Sequence, residues 1–316
     1  MMSDRRIEVA VGVLQRADGQ VLVGERFASK PLPGYLEFPG GKLESGETPA
    51  AALVRELEEE LGISFDESRL QPLIRFAHAY PQFDVLLHVY RLGSWRGEPD
   101  AREGQRLSWK SPADLYAAPL LPANRPILNA LELPATLLVT PEPMPDDGEG
   151  FVRRFERALA KDPPGGAMLR LRDPTFLDAL APALAAAAKA GGKILLLNTG
   201  AVTAPPHGFA GLHLPAAALT ARPAVAGWIG ASVHNVEEAA HARELGLDYA
   251  IAGSVRETSS HPGAPPLGWN GFGKIAAAAG IPTYAIGGMT PADLPKVRAH
   301  WGQGIAAIRA FWPETA

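Results

Sequence analysis

Two apolar rhythms divide the chain. In residues 1–133 the rhythm is mixed. Alternating β-branched positions predict a strand over Ile7–Leu14. The turn pair Asp18-Gly19 then predicts a hairpin whose returning strand is Val21–Gly24. Tyr35–Phe38 leads into a glycine-rich turn, strands are expected over Leu73–His78, Asp84–Leu92 and Leu107–Lys110, and short helices over Pro112–Tyr116 and Ala123–Leu131. Between them one helix is marked at both ends: Thr48 suits the N-cap, Pro49 the first helical position and Gly62 the stop.

After the link Leu133–Thr136 the composition shifts towards alanine, proline and glycine, and strand and helix patterns alternate. Strands are predicted over Leu137–Thr140, Ala167–Arg172, Lys193–Asn198, Gly211–Leu214, Trp228–Ser232, Tyr249–Gly253, Thr283–Ile286 and Gly304–Arg309. Helices fall near 150–161, 175–190, 236–245, 269–279 and 291–300. This alternation predicts a (β/α)8 barrel over 134–316 of roughly 180 residues, with its last helix missing. The fold class is therefore α/β, in two domains, 1–133 and 134–316.

Composition narrows the function classes. A formal net charge of −4 without a block of Lys and Arg argues against a nucleic-acid polymer as partner. The absence of cysteine excludes disulfides, a thiolate nucleophile and a cysteine metal site. The start, MMSDRRIEVAVGVLQ, lacks the apolar core and cleavage site of a signal peptide, and the Ala-rich 179–190 stretch is too short to span a membrane. A cytoplasmic protein without a membrane partner is expected.

The strongest signal is Arg55-Glu56-Leu57-Glu58-Glu59-Glu60. On a helix Glu56, Glu59 and Glu60 stand at i, i+3 and i+4 and share one face. Like charges this close repel, and a hard divalent cation relieves the repulsion through oxygen ligands. A solvated acidic face is the bland alternative. Against it stands a spaced pattern: Gly41, five residues, Glu47, seven residues, Arg55-Glu56, Leu57, one residue, Glu59-Glu60, one residue, Gly62 and Ile63. This fills every defined position of the Nudix box, and residues from about 5 to 132 resemble a Nudix hydrolase of the MutT type.

That resemblance implies an α/β/α sandwich and a Mg²⁺-dependent hydrolase, with Mn²⁺ as a substitute. It implies metal ligation by the Gly41 carbonyl, Glu56, Glu59, Glu60 and a loop carboxylate, Glu103, with a glutamate as general base. Glu47 and Arg55 form a supporting ion pair, or Arg55 is scaffold only. The similarity extends through Glu37–Lys42, Arg26, Gly97-Glu98-Pro99, Glu103-Gly104-Gln105 and Pro122–Pro126. It implies that Asn124 hydrogen-bonds a purine base, while Arg26 and Phe38 line the base or sugar pocket. Asn124 also reads as a helix N-cap, Arg26 as surface charge, and Lys42 as either a phosphate contact or a surface lysine. The implied reaction is hydrolysis of 8-oxo-dGTP, and more slowly dGTP, to the monophosphate and pyrophosphate.

In the second half, Ile229–His234 and Ala285–Thr290 resemble thiamine phosphate synthase and its relative TenI. The candidate ligand site at the strand ends is Arg172, Asn198, His213, Ser232, His234, Ser254, Gly287 and Gly288. Gly287-Gly288 before Thr290-Pro291 reads as a phosphate cradle or as a tight barrel turn. His213 and His234 read as hydrogen-bonded barrel-end residues. Most of the family's charged positions have gone: Pro174 follows Asp173 where the family has a lysine, and Asn198-Thr199, Pro215–Ala218, the surroundings of Ser260-His261, and Ser254 stand at the others. A nucleotide hydrolase with a degenerate thiamine-synthase-like barrel is the leading expectation. A thiamine-pathway enzyme whose barrel handles a thiazole phosphate, with the Nudix domain cleaving thiamine-related diphosphates, is the alternative. A barrel that only senses a ligand or forms a homo-oligomer is a third reading.

Overall fold

Thr48, Pro49 and Gly62 set the ends of the first helix, α1 (Pro49–Leu61). The Thr48 hydroxyl accepts from the Ala51 N–H at 3.1 Å, and Gly62 closes the helix at φ 70° with its N–H on the Glu58 carbonyl at 3.0 Å. The computed structural model describes residues 6–312 apart from 29–30, 81–82, 145–146, 161–163, 201, 259–262 and 264. These fall into two units, Met1–Glu132 and Leu133–Ala316.

In the first unit, β1 (Arg6–Leu14), β4 (Gly40–Lys42), β5 (Gln71–Ala79) and β6 (Asp84–Leu92) form a sheet in the order β4-β1-β6-β5, with β1 and β6 parallel. A second sheet joins β3 (Leu36–Glu37), β2 (Val21–Glu25) and β7 (Arg106–Lys110). The two sheets share a core built from Val11 and Val13 of β1, Val21 and Val23 of β2, and Leu87 and Val89 of β6. Ile127 and Leu128 of α3 (Arg125–Glu132) complete it. On the opposite face of β1, α1 packs its buried Leu53 and Leu57 so closely that a Cβ on Gly12 would stand 3.0 Å from Leu57. The α/β/α layering expected from the sequence is therefore present.

The hairpin expected at Asp18-Gly19 is not a strand pairing. Gly19 makes the turn at φ 86°, but β1 and β2 lie in different sheets, and their ladder pairing is limited to the bridge between Gln15 and Val21. Both edges of β1 are already taken, by β6 on one side and β4 on the other. The returning strand instead opens the second sheet, and its valines meet those of β1 across the core. A short helix α2 (Pro112–Ala117) precedes the 3-10 turn Pro122–Asn124 and α3.

The second unit is a closed barrel of parallel strands, β8 (Thr136–Val139), β9 (Gly166–Arg170), β10 (Ile194–Asn198), β11 (Gly211–Leu214), β12 (Trp228–Val233), β13 (Tyr249–Ala252), β14 (Thr283–Ile286) and β15 (Gly304–Ala307). Helices α4 (Gly148–Ala160), α5 (Leu177–Ala190), α6 (Val236–Glu244), α7 (Gly268–Ala279) and α8 (Leu294–Ala299) flank it. Among the described residues, β10 passes to β11 without a helix, and β11 to β12 with only the turn Ala216–Ala218. After β15, residues 308–312 form turns. No helix of the described chain is long and apolar enough to cross a membrane.

Two buried tyrosines fill the barrel interior. Tyr249 and Tyr284 meet edge to face at 6.1 Å, and the Tyr284 hydroxyl donates to the Pro134 carbonyl at 2.7 Å. Gly230 makes the room, because a Cβ there would lie 2.2 Å from the Tyr249 ring. His213 is fully buried beside them, with Nδ1 3.2 Å from the Tyr249 hydroxyl and Nε2 2.9 Å from Ser232 Oγ. Burial pushes its pKa down to about 3, so the ring is neutral at neutral pH.

This interior can be tested by packing and by pH. Gly230→Ala forces the Tyr249 ring to move and is expected to destabilise the barrel by about 2–3 kcal/mol in urea unfolding. Gly93→Ala, where a Cβ meets nothing within 4 Å, is expected to stay within about 0.5 kcal/mol. Unfolded, His213 takes up a proton below about pH 6.5 that the folded chain refuses down to about 3. Its share of stability is therefore complete above about pH 6.5 and falls by about 1.4 kcal/mol per unit as the pH drops towards 3. His213→Asn should flatten that acid limb in unfolding measured across the same range.

Candidate active site

The glutamates of α1 are gathered by one guanidinium. Arg55 Nε and Nη2 donate to the two carboxylate oxygens of Glu47, each at 2.9 Å, and Nη2 also reaches the Lys42 carbonyl at 3.1 Å. Its Nη1 donates to Glu56 at 2.9 Å and to Glu59 at 3.4 Å. Glu47 accepts in addition from the Glu44 N–H at 2.8 Å. Arg55 first, and then this backbone bond, hold the Glu47 carboxyl down to a pKa of about 2. The same pairing, with Glu47 first and Glu56 next, raises that of Arg55. The expected Glu47–Arg55 pair thus exists and does more than brace the loop, since it also fixes Glu56.

The glycines before the helix are needed for closeness. A Cβ on Gly41 would stand 2.1 Å from the Glu56 carboxyl carbon, and one on Gly40, at φ 140°, would stand 2.2 Å from the Ala10 carbonyl oxygen. Glu60 accepts from the Gly40 N–H at 3.1 Å and from Gln105 Nε2 at 3.3 Å. Glu59 is exposed, and Glu103 is exposed on the loop before β7, outside this hydrogen-bonded cluster. The donor set fits a hard divalent ion, being made of carboxylate oxygens beside a bare glycine backbone. Among the described residues no three His, Asp or Glu side chains already converge to hold one.

The residues expected to line the nucleotide pocket differ in character. Phe38 is buried in the core between the sheets. Arg26 is ion-paired with Glu37 and donates through Nε to the Pro31 carbonyl at 2.8 Å, so it is no loose surface charge. Lys42 is exposed and lends its carbonyl to Arg55. Asn124 is only 4% exposed, yet among the described residues its amide makes no hydrogen bond and caps no helix. The backbone bonds from Leu36 to Pro119 at 2.7 Å and from Leu121 to Leu36 at 3.0 Å bring its turn beside β3. Sequence reasoning misses Glu37 and Gln105 as individual contributors. Each lies inside a stretch that the sequence singles out, but a lone polar residue gives no sign of its burial.

At the strand ends of the barrel a cavity of about 480 Å³ is lined by Asn198, His213, Ser232, His234, Ser254, Gly287 and Gly288. Arg172, expected there, is not among them. Its side chain is 81% exposed and its backbone N–H is held by Glu142, while the arginine that this strand brings to the cavity is Arg170, the last residue of β9. Arg256, Thr258 and Arg309 also line it; Arg309 ends the last strand expected from the sequence, whereas Arg256 and Thr258 follow a strand end without a motif to mark them. Among the described residues no Asp or Glu does so. Arg256 is held on Asp293 and on the Gly288 carbonyl at 3.0 Å, and His234 on Glu238 at 3.0 Å. Gly287 and Gly288 have φ 104° and 68°, and a Cβ on Gly287 would press on Ser254 at 2.8 Å. Asp173 is spent on the turn Pro174–Phe176, accepting from the Thr175 N–H at 3.0 Å. Ser260 and His261 lie outside the described residues.

Comparison with known proteins agrees with this division. A family model described as the NUDIX domain matches residues 5–131, and one described as thiamine monophosphate synthase matches 136–311. The 8-oxo-dGTP diphosphatase of Escherichia coli (strain K12) is 35% identical over 128 residues, 40% of this chain and 98% of that protein. The CTP pyrophosphohydrolase of the same strain is 36% identical over 127 residues, 40% of this chain and 91% of that protein. The thiamine-phosphate synthase of Salinispora arenicola (strain CNS-205) is 40% identical over 99 residues, 31% of this chain and 48% of that protein, so the match spans about half of that relative. With its carboxylate helix in the first match and its closed barrel in the second, the chain belongs to the Nudix hydrolases through its N-terminal part and to the thiamine monophosphate synthase family through its C-terminal part.

Proposed function

We propose that the N-terminal unit hydrolyses 8-oxo-dGTP, and dGTP more slowly, to the monophosphate and pyrophosphate with Mg²⁺ or Mn²⁺, clearing damaged nucleotides from the cytoplasmic pool. The observation that carries the choice of substrate is Asn124, a buried amide with no partner among the described residues. An amide offers a donor and an acceptor side by side, which suits the edge of an oxidised guanine. Phe38, buried in the core directly after β3, would supply an apolar wall for the base, and the Arg26–Glu37 pair fixes the strand that it follows.

Glu56, Glu59 and Glu60, with Glu103 and the Gly41 carbonyl, would hold the divalent ion. When bound, that ion supplies charge neutralisation for the polyphosphate and activation of water. Arg55 and Glu47 keep Glu56 seated on Gly41, one glutamate takes the proton from the attacking water, and Lys42 contacts phosphate. The barrel cavity supports a second, subordinate reading. Its arginine, asparagine and serine lining over an apolar floor suits a thiazole phosphate-like ligand, and its lack of carboxylates among the described residues argues against Mg²⁺-pyrophosphate chemistry there. The barrel is on this reading a degenerate synthase.

Full-length protein with Mg²⁺ is expected to release pyrophosphate from 8-oxo-dGTP faster than from dGTP or CTP. A faster release of pyrophosphate from CTP, or of phosphate from thiamine diphosphate, rejects the reading. Glu59→Gln should lower kcat/KM by about 10²–10⁴-fold without loss of folded protein. Asn124→Ala should lower kcat/KM for 8-oxo-dGTP by about 10–100-fold, mainly through KM, as expected for one lost hydrogen-bonding group.

A further inference from the structure

Resting on the reading of the α1 glutamates as ligands of a divalent ion, we propose that Gln105 is a positioning residue of the hydrolase. Its side-chain N–H sets the Glu60 carboxylate and so ties the ion's affinity to the loop that carries Glu103. Gln105 Nε2 stands 3.3 Å from Glu60 Oε1 and 3.4 Å from the Glu60 carbonyl oxygen, spanning both acceptors of one residue. The Gly40 N–H meets the other carboxylate oxygen at 3.1 Å. Glu60 is therefore gripped from two sides by groups outside its helix. Both of these donors are neutral, whereas Glu56 and Glu59 lean on the Arg55 cation. A neutral donor orients a carboxylate without competing for its charge, which is what a cation ligand requires.

The surroundings of Gln105 favour this role over simple packing. It is 6% exposed at the end of the exposed run Arg102–Gly104, and its Cγ lies 3.6 Å from the place a Gly24 Cβ would take. Its Oε1 is buried without a hydrogen-bond partner. An apolar side chain would fill the same space without stranding an oxygen, so the amide is retained at a cost to stability. The loop is also tied to the end of α1: the Asp100 N–H donates to the Leu61 carbonyl at 2.9 Å, and Arg102 Nη1 to the Glu58 carbonyl at 3.1 Å. Gln105 is the one of these ties that reaches a carboxylate.

The test titrates Mn²⁺ alone into the full-length protein and follows free Mn²⁺ by electron paramagnetic resonance, with no nucleotide present. Gln105→Met keeps the length and removes the donor, and is expected to weaken Mn²⁺ binding by about 10–100-fold with a thermal unfolding midpoint equal to or above that of the wild type, since the stranded oxygen goes with the amide. Gln105→Asn, too short to reach Glu60, should show the same loss should the Met variant fold poorly. Arg102→Ala cuts a loop tie but leaves the donor, and should retain wild-type affinity. Wild-type affinity in both Gln105 variants overturns the proposal, and so does an equal loss in Arg102→Ala, which would assign the effect to loop order. Equal Mn²⁺ binding by the wild type and Glu60→Gln would instead overturn the metal reading, and this proposal with it.

Discussion

Repulsion among the carboxylates of α1 is the constraint on which the first unit depends. Two unit charges 4 Å apart near a protein surface interact by about 4 kcal/mol, less where solvent screens them. A helix with glutamates at 56, 58, 59 and 60 needs a counterion, and Arg55 supplies it from within the same helix. Because one guanidinium has several donors in a fixed plane, it also reaches Glu47 and the Lys42 carbonyl. The loop before the helix is thereby pulled onto it. The bare backbone at Gly40 and Gly41 is what lets it come so close.

The barrel solves a different problem. Its interior is closed by Tyr249 and Tyr284, and the one titratable imidazole among them is kept neutral. Charge is confined to the rim, where Arg256 is matched to Asp293 and His234 to Glu238 outside the cavity lining. The first unit concentrates oxyanions around a cation, and the barrel cavity presents, among the described residues, cations and hydroxyls without a carboxylate. Those arrangements suit opposite partners, a divalent ion in one case and an anionic ligand in the other.

Much of this is legible in the sequence because it is local. Caps and a stop lie within a turn of the helix they bound, so Thr48, Pro49 and Gly62 place α1 to the residue. The strands Asp84–Leu92, Gly211–Leu214 and Thr283–Ile286 are equally plain, each being an apolar run between clear breaks. What escapes the sequence is non-local. Nothing near Asp18-Gly19 reveals that β6 claims one edge of β1. Arg170 and Arg172 have the same strand parity, and only the point where β9 ends decides which of them meets the cavity. The amides of Asn124 and Gln105 carry no mark of burial in the sequence, since burial is set by strands and loops distant along the chain.

The same charge arrangement limits what can bind to the first unit. Glu47, Glu56 and Glu59 share the single guanidinium of Arg55, so this cluster is negative before any ligand arrives. Its pairing holds Arg55 charged, which leaves that residue no proton to release or gain near neutral pH. Arg26, another cation of the unit, is already matched to Glu37. A nucleoside triphosphate, the substrate proposed for this unit, would bring further negative charge to the same place. Without added cations the two would repel, so affinity for the nucleotide and affinity for divalent ions are linked by charge alone. The glutamates that make the helix costly to fold are, on this argument, also what makes the polyphosphate end of a substrate depend on its counterions.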